Sequence, residues 1–357
     1  MARSDVRPSP IRRIAIDRGG TFTDVVAERA DGTIAVAKLL SIDPGRYDDA
    51  AVEAVRRLTD TPEGPLPPIE VRIGTTIATN ALLERQGEPV LLAITRGFGD
   101  ALAIGYQDRP DIFARAIRRP PPLPDRVVEI DERVDVEGRV VRALDLAGAE
   151  AAFRAGFDDG VRAIAVVLMH GWRYPAHEAA LADLAARIGF TQVSASHRVS
   201  PLIRLIARGD TTVADAYLSP VLRRYVDGLE AELAGAPLFM QSSGGLAPAR
   251  AVSGKDALLS GPAGGIVGMA AAAMRCGVAR VIGFDMGGTS TDGSLWAGGF
   301  ERRQEAVIGG VRVSAPMLRI DTVAAGGGSI CRFDGGRFVV GPESAGADPG
   351  PASYRRG

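Results

Sequence analysis

Two eight-residue stretches carry most of the chemistry legible in this chain. They are Asp17-Arg18-Gly19-Gly20-Thr21-Phe22-Thr23-Asp24 and, far downstream, Asp285-Met286-Gly287-Gly288-Thr289-Ser290-Thr291-Asp292. The two share six of eight residues, too many to be an accident of composition. Each follows a short run, Arg13 to Ile16 and Val281 to Phe284, and strand-favouring Thr23-Asp24-Val25-Val26 follows the first. The order predicts strand, tight glycine turn, strand. Paired glycines admit a ligand close to the backbone, and consecutive N–H groups at such a turn make a concave anion site. The turn does not need its leading aspartate, which suits a hydrated divalent cation beside a phosphate. One copy alone would read as an ordinary hairpin turn. Two copies read as a site.

Two phosphate-type hairpins far apart in sequence point to two related domains facing each other across one nucleotide. The arrangement resembles the actin-like ATPase and sugar-kinase superfamily, with its ribonuclease H-like α/β halves, in which two hairpins grip the phosphates from either side. A dinucleotide-binding fingerprint is excluded. There the glycine run opens a helix, whereas Thr21 to Val26 reads as a second strand.

The elements that must position these turns follow from the rest of the chain. Its 357 residues allow two sizeable cores. Acidic and basic residues nearly cancel, 43 against 42, so no large field argues for nucleic acid or a membrane. Met1 to Pro10 has no apolar signal core, and no apolar run approaches membrane-spanning length. Cys276 and Cys331 match neither a metal spacing nor a disulfide framework, and the expectation is buried free thiols in a reducing cytoplasm. His170, His177 and His197 have no metal-site spacing and read as structural.

A strand runs from Thr33 to Leu40, and a helix from Tyr47 to Leu58. Val71 to Gly74 is a strand, followed by a helix from about Ile77 to Arg85. Thr75 and Thr76 then stand at a helix N-terminus, either as caps or as anion and carbonyl donors, with Asn80 one turn on. Pro89 to Thr95 and Ala163 to Met169 read as buried strands, with helices from Asp145 to Phe157 and from Pro175 to Ile188. Gly105 to Pro124 is irregular chain or a lid, and Val127 to Val134 with Val140-Val141 reads as a hairpin. Composition shifts near Ser200, dividing residues 11–199 from residues 200–357. Arg208 to Thr212 is expected as a turn before a long helix, Val213 to Leu233. Ser260-Gly261-Pro262-Ala263-Gly264-Gly265 opens another helix, whose small residues admit a backbone or a nucleotide. Gly326, Gly327 and Gly328 form either a flexible loop or a wall of the nucleotide site.

These stretches together carry a narrower resemblance. Ala15 through Asp24, Gly74 through Arg85, Thr95 through Phe98, Gly261 through Gly265, Phe284 through Asp292, Ala324 through Ser329 and Val340 through Gly346 resemble the N-terminal part of the ATP-dependent 5-oxoprolinases. Those belong to the wider hydantoinase-A and acetone-carboxylase group, and the resemblance covers nearly the whole chain. Arg18 leans toward the oxoprolinase branch, since relatives acting on hydantoins or acetone carry a small or apolar residue there. Lys38 through Ser41 and Ala214 through Tyr217 lean the same way. Gly293 departs from the apolar residue usual in the group. Family members continue well past Pro351, which implies a truncated second domain here.

The resemblance implies ATP-driven opening of a cyclic amide, 5-oxo-L-proline, to L-glutamate, with ATP and Mg²⁺ as cofactors. Gly19, Gly20, Thr21 and Thr23 are then expected on the phosphates from one domain, and Gly287, Gly288 and Thr289 from the other. Asp17 and Asp285 would orient hydrated Mg²⁺ or the attacking group. Thr75, Thr76 and Asn80 are the substrate-side candidates. Arg18 would meet a substrate carboxylate or a phosphate, or else pair with Asp24 or another acid. A hydantoinase-B-like subunit or a missing C-terminal part, and an oligomer, are the implied partners. A small-molecule kinase of the same superfamily, an N-methylhydantoinase and a non-catalytic module stay open at this stage.

Overall fold

The computed structural model describes residues 10–107, 113, 115–116, 121–288, 290–346 and 350–355. The first hairpin forms as its side-chain alternation requires. On β1 (Ile11–Arg18) Ile14 and Ile16 point inward, and on β2 (Phe22–Arg29) so do Thr23, Val25 and Ala27. β3 (Ile34–Leu40) pairs with β2, and the chain then turns into α1 (Ala50–Thr59). Asp49 caps that helix, its Oδ1 accepting from the amides of Ala51 (2.8 Å) and Val52 (3.1 Å). α1 lays Ala50, Ala51, Ala54 and Val55 on the inward face of the hairpin. β4 (Glu70–Thr75) runs parallel to β1 and leads directly into α2 (Ile77–Leu83).

A second sheet follows. β5 (Val90–Thr95), α3 (Ala101–Ile104), β6 (Arg126–Ile130), the small pair β7 (Arg133–Val134) and β8 (Val140–Arg142), α4 (Leu146–Asp158), β9 (Ala163–Val167), α5 (Ala176–Ile188) and β10 (Gln192–Ala195) come in that order. The strands align β10-β9-β5-β6, all parallel. Leu91, Ala93, Ile164 and Val166 pack on Phe153 of α4 and on Leu181 and Leu184 of α5. Their neighbours Leu92, Ile94, Ala165 and Val167 face the other way. Burial on both faces explains why these strands read as unbroken apolar runs. The expected hairpin over Val127 to Val134 is therefore only partly correct. Its first half is the edge strand of a parallel sheet, and only β7 and β8 pair as a hairpin. Much of Gly105 to Pro124, the expected lid, lies outside the described residues.

After the short α6 (Ser196–Val199), the 28-residue α7 (Leu205–Glu232) joins the two cores. Its first half packs Val213, Ala214 and Tyr217 on the second sheet, and its second half lays Leu222, Val226 and Leu229 beside α1. The expectation of a turn over Arg208 to Thr212 is corrected, because these residues are helical. Arg208 is fully buried, and its guanidinium donates to Ser196 Oγ (2.9 Å), to Leu202 O (2.7 Å) and to the carbonyls of Leu168 and Met169. Acceptors supplied by distant segments hold the helix through a glycine. Gly209 lets Leu102 pack close to the helix, since a Cβ there would lie 2.7 Å from Leu102 Cδ2.

Packing crosses residue 200. β11 (Leu238–Met240) and β12 (Leu246–Pro248) complete the first sheet in the order β12-β11-β4-β1-β2-β3. α8 (Ser260–Arg275) then leads to the second motif hairpin, β13 (Val281–Met286) and β14 (Thr291–Trp296). Short strands follow. β15 (Arg302–Arg303) pairs with β18 (Met317–Leu318), and β16 (Ala306–Ile308) with β17 (Val311–Val313). β19 (Asp321–Val323) joins β14, while β20 (Ser329–Phe333) and β21 (Phe338–Ser344) form a ribbon. Both cysteines are exposed, correcting the expectation of buried thiols. Cys276 ends α8 at the surface, and Cys331 lies on the open ribbon. Among the described residues no helix is long and apolar enough to cross a membrane.

Candidate active site

The two motif hairpins share one register. Asp17 stands opposite Asp24, and Asp285 opposite Asp292. Both turns close the same way, Gly19 N donating to Phe22 O (3.1 Å) and Gly287 N to Ser290 O (2.9 Å). None of Gly19, Gly20, Gly287 and Gly288 has a positive φ, so glycine is not required there by left-handed backbone. Space is the reason at the first turn. A Cβ on Gly19 would lie 3.0 Å from Phe22 O, and one on Gly20 3.2 Å from Asn80 Nδ2. The amides of Gly20 and Thr21 donate to no backbone acceptor among the described residues. They remain available at the tip for an anion.

Residues behind the first tip hold it rigid. Ser41, buried on the far side, donates from Oγ to Gly19 O (2.6 Å), and its amide donates to Thr21 O (2.9 Å). Thr23 is fully buried with Oγ1 3.0 Å from Ser41 Oγ, so it braces the turn from within and is closed to a ligand at the tip. The sequence reading gave Ser41 no site role. Its signals were its place one residue past a strand that pairs with the hairpin and its membership of the Lys38 through Ser41 stretch.

α8 brings the two aspartates together. Gly261 and Gly265 lie one turn apart on one side of the helix. A Cβ on Gly261 would sit 3.3 Å from Asp17 Oδ1, and one on Gly265 3.8 Å from Asp285 Oδ2. A Cβ on Gly74, at the end of β4, would be 3.4 Å from the same Asp17 oxygen. The glycines of Ser260 through Gly265 thus let the helix N-terminus approach both carboxylates, with its partial positive charge turned toward them. Ser260 fastens this end, its Oγ accepting from Thr75 N (3.1 Å).

The carboxylates repel each other. Asp17 keeps an exposed surface, yet the protein packed beside it withdraws water, and Asp24 and Asp285 add negative charge. The result holds its carboxyl up at about 6, with Lys38 opposing. Asp292 is raised in the same sense, first by burial and then by Asp285, while Thr322 opposes. A site with surplus negative charge is matched to a cation. The raised value also has a signed consequence for stability. As pH rises from about 4 to about 6, the unfolded chain loses this proton before the folded chain does, so stability is lost over that window. Asp17→Asn cannot ionise and should melt above the wild type at pH 7, with the gap closing toward pH 4. Thermal melts across that range test this, and a gap independent of pH would refute it.

The remaining candidates divide. Thr76 Oγ1 donates to Arg18 O (3.3 Å), and Asn80 Nδ2 lies 3.4 Å from Thr76 Oγ1, so both stand beside the first tip. Thr75 is fully buried and its Oγ1 accepts from Ile77 N (3.2 Å). Arg18 leaves β1 on the face opposite Asp17. Its guanidinium stacks 4.9 Å from the Tyr225 ring centre, and Nε lies 3.8 Å from Asp49 Oδ2. Asp24 pairs instead with Lys38 at 2.7 Å. Gly327 N and Gly328 N donate to Gly287 O (2.9 Å) and Gly288 O (2.7 Å), and Gly326 N to Ser329 Oγ (2.8 Å). That loop backs the second hairpin with its amides already used. Thr289 lies outside the described residues.

Two of the three histidines are engaged by the fold. His177 Nδ1 lies 2.8 Å from buried Glu132, and His197, on α6, has Nδ1 2.7 Å from buried Glu178. Among the described residues no cluster of three or more histidine, cysteine or acidic side chains is placed to hold a metal. An ion at Asp17 and Asp285 would therefore keep most of its ligands from water and phosphate, which is the habit of Mg²⁺.

Comparison with known proteins gives matches along nearly the whole chain. The hydantoinase/oxoprolinase N-terminal region model matches residues 13–189, and the hydantoinase/oxoprolinase model residues 208–357. 5-oxoprolinase 1 of Arabidopsis thaliana is 46% identical over 97% of this chain and 30% of its own length. The crystal structure of ATP-dependent caprolactamase from Pseudomonas jessenii superposes with a TM-score of 0.81 at 32% identity, over 96% of this chain and 52% of that one. A nucleotide-free acetone carboxylase structure gives 0.77 at 24% identity, over 98% and 52%. The fold is the actin-like ATPase fold of these structures. The chain spans about a third of the length of the curated relative and about half that of the solved chains.

Proposed function

The chain belongs to the hydantoinase/oxoprolinase family, and from that membership we propose that it supplies the ATP-binding part of an enzyme that opens a cyclic amide, 5-oxo-L-proline, to L-glutamate. The observation that carries this reading is the pair of hairpins in one register, with both leading aspartates turned to one side of α8. Two free amides at the first tip and a carboxylate behind each turn are what a polyphosphate with a divalent cation needs.

The chemistry explains the need for ATP. An unstrained lactam is a poor electrophile. Attack of its carbonyl oxygen on the γ-phosphorus, with ADP leaving, makes the carbonyl carbon open to water. Water adds there, the C–N bond breaks as nitrogen takes a proton, and a second water releases phosphate. The sum is lactam, ATP and two waters giving glutamate, ADP and phosphate. The chain's share is to hold the γ-phosphate in line and to meet the charge that develops. Gly20 and Thr21 would bind phosphate from the first hairpin, and Gly287, Gly288 and Thr289 are the candidates from the second motif. Asp17 and Asp285 would hold hydrated Mg²⁺, which draws charge from the phosphate oxygens when bound. Thr76 and Asn80, beside the first tip, would face the lactam, and buried Thr75 would keep that edge in place.

The deciding experiment supplies 5-oxo-L-proline and MgATP to the chain together with whatever completes it, a hydantoinase-B-like subunit or a C-terminal continuation. Glutamate, ADP and free phosphate should appear in equal amounts. A stable phosphorylated product would instead mark a small-molecule kinase. ATP turnover that ignores 5-oxo-L-proline but responds to a hydantoin would move the substrate to that branch.

Arg18 separates two roles by kinetics. Its guanidinium stacks on Tyr225 and has Nε 3.8 Å from Asp49, without a hydrogen bond to that buried nitrogen, on the far face of β1, so Arg18→Val should lower the melting temperature while leaving KM for both ATP and 5-oxo-L-proline within about twofold. A rise of tenfold or more in KM for 5-oxo-L-proline alone, the size of one lost charge-assisted contact, would return Arg18 to the substrate carboxylate.

A further inference from the structure

Of the stretch Arg208-Gly209-Asp210, the first two residues serve the packing of the second sheet. Asp210 does not. It lines a cavity of about 570 Å³ that none of the motif residues touches. The walls come from four places. α3 and the chain just after it give Leu102 and Tyr106, the proline run gives Leu123, the start of α7 gives Val213, and the β16–β17 hairpin gives Val311. A cavity of this size, mostly apolar with a few polar groups, suits a small organic molecule.

Three charged side chains reach it, and two of them have unused hydrogen-bonding capacity. Arg312 is engaged, Nη1 donating to Glu305 Oε1 (2.6 Å) while the guanidinium lies 4.4 Å from the Tyr106 ring centre. The Asp210 carboxyl receives no hydrogen bond among the described residues, and loss of water holds it up at about 7, with Arg312 opposing and Glu305 adding to the rise. Arg85 gives Nη2 to Gly309 O (3.1 Å), but its buried Nη1 has no partner among the described residues. Its backbone is unusual as well. Gln86 N donates to Ala81 O (2.9 Å) and Arg85 N to Leu82 O (3.4 Å), a helix-ending pattern whose left-handed residue is ordinarily glycine. Arg85 takes that place with φ 57°. What arginine adds there over glycine is a guanidinium at the cavity.

We propose that this cavity is a second small-molecule site, for a compact carboxylate that carries an N–H group. The carboxylate meets Arg85, the N–H group meets Asp210, and the hydrocarbon body lies against Leu102, Leu123 and Val311. One unpaired donor and one unpaired acceptor select a molecule with both functions, while the hydrocarbon walls disfavour a strongly hydrated ion or a polyphosphate. A cyclic amino acid, its lactam or a short aliphatic amino acid belongs to this class. So does 5-oxo-L-proline, and only its choice as a probe rests on the proposed function. The site is separate from the first tip, because Thr76 and Asn80 stand at the start of α2 and Arg85 lies past its end.

Ligand-observed NMR titration of the chain with 5-oxo-L-proline and with L-proline, in the absence of ATP, tests this. At least one probe should bind the wild type, and Arg85→Gly and Asp210→Asn should each weaken that binding tenfold or more, the size of one lost charge-assisted contact. Glycine suits the left-handed backbone at 85, so that variant should fold, as melting temperature will show. Between pH 6 and pH 8 the wild-type affinity should rise about tenfold as Asp210 ionises, and the rise should be absent in Asp210→Asn. Failure of both probes to bind, or binding that both variants keep, would overturn the proposal. If Asn80→Ala removes the binding while the two cavity variants retain it, the probe sits at the first tip; the second site then falls and the proposed function stands. Because no turnover is read, a lactam that the assembled enzyme fails to open leaves this result unaffected.

Discussion

Asp285→Ala should reduce ATP turnover by the assembled enzyme at least a hundredfold while the fold persists. The size follows from the role proposed for it: without this carboxylate, the hydrated cation that would meet the developing phosphate charge loses a holding group. Asp285 stands on β13 with its carboxylate turned to Gly265 of α8, on the side of the hairpin that also faces Asp17. Its open surface makes the fold indifferent to its loss. Its removal should also relieve the repulsion that helps raise Asp17, so the free chain should tolerate the change or gain slightly from it. The measurement is steady-state ADP release at saturating MgATP, with far-UV circular dichroism as the control. A companion measurement needs only the chain itself. Nucleotide binding to the wild type should weaken when Mg²⁺ is chelated, and this sensitivity should vanish in Asp285→Ala. Wild-type turnover in the mutant would remove Asp285 from the metal and leave the second hairpin as a phosphate contact only.

The largest loss of stability is expected at Glu178, which no part of the nucleotide site touches. This carboxylate is fully buried at the start of α5 and is saturated. Oε1 accepts from Leu168 N (2.8 Å) and Ser196 Oγ (2.6 Å), and Oε2 from His197 N (2.9 Å), with His197 Nδ1 2.7 Å away. Ser196 Oγ also accepts from fully buried Arg208. The network ties β9, α5, α6 and α7 together at one end of the second sheet. Glu178→Ala would leave Arg208 as a buried charge without its counterion and would orphan several donors. A loss of about 3–5 kcal/mol is expected, or a fall in melting temperature on the order of 10 °C. Glu178→Gln keeps the volume and one acceptor and should lie between. Urea unfolding of the three proteins decides it. A Glu178→Ala protein within about 1 kcal/mol of the wild type would mean that the network contributes specificity and little net stability.

Much of the site was legible because it is local. Asp-x-Gly-Gly-Thr after an apolar run determines a hairpin by side-chain period and turn chemistry, and repeating it determines that there are two. The small residues from Ser260 to Gly265 announced a helix start that something could approach. What approaches was not legible. Gly261 and Gly265 face Asp17 and Asp285 only because α8 lies between the two hairpins, and no spacing in the chain records that. The face on which a residue ends was equally hidden. Alternation puts Asp17 and Arg18 on opposite sides of β1, but α1 and α7 decide that Arg18's side holds Asp49 and Tyr225, while α8 and Asp285 lie on Asp17's side. Thr23, which the family resemblance put on the phosphates, is a buried brace, because the chain leaving β3 places Ser41 against it. Arg208-Gly209-Asp210 read as a turn because glycine and aspartate favour one locally. Carbonyls from Leu168, Met169 and Leu202, far away in the chain or just outside the helix, made helix the better outcome. Short-range chemistry chose the elements and the phosphate-type tips. Long-range packing alone decided which groups those tips meet, since contacts between distant segments leave no period in the sequence.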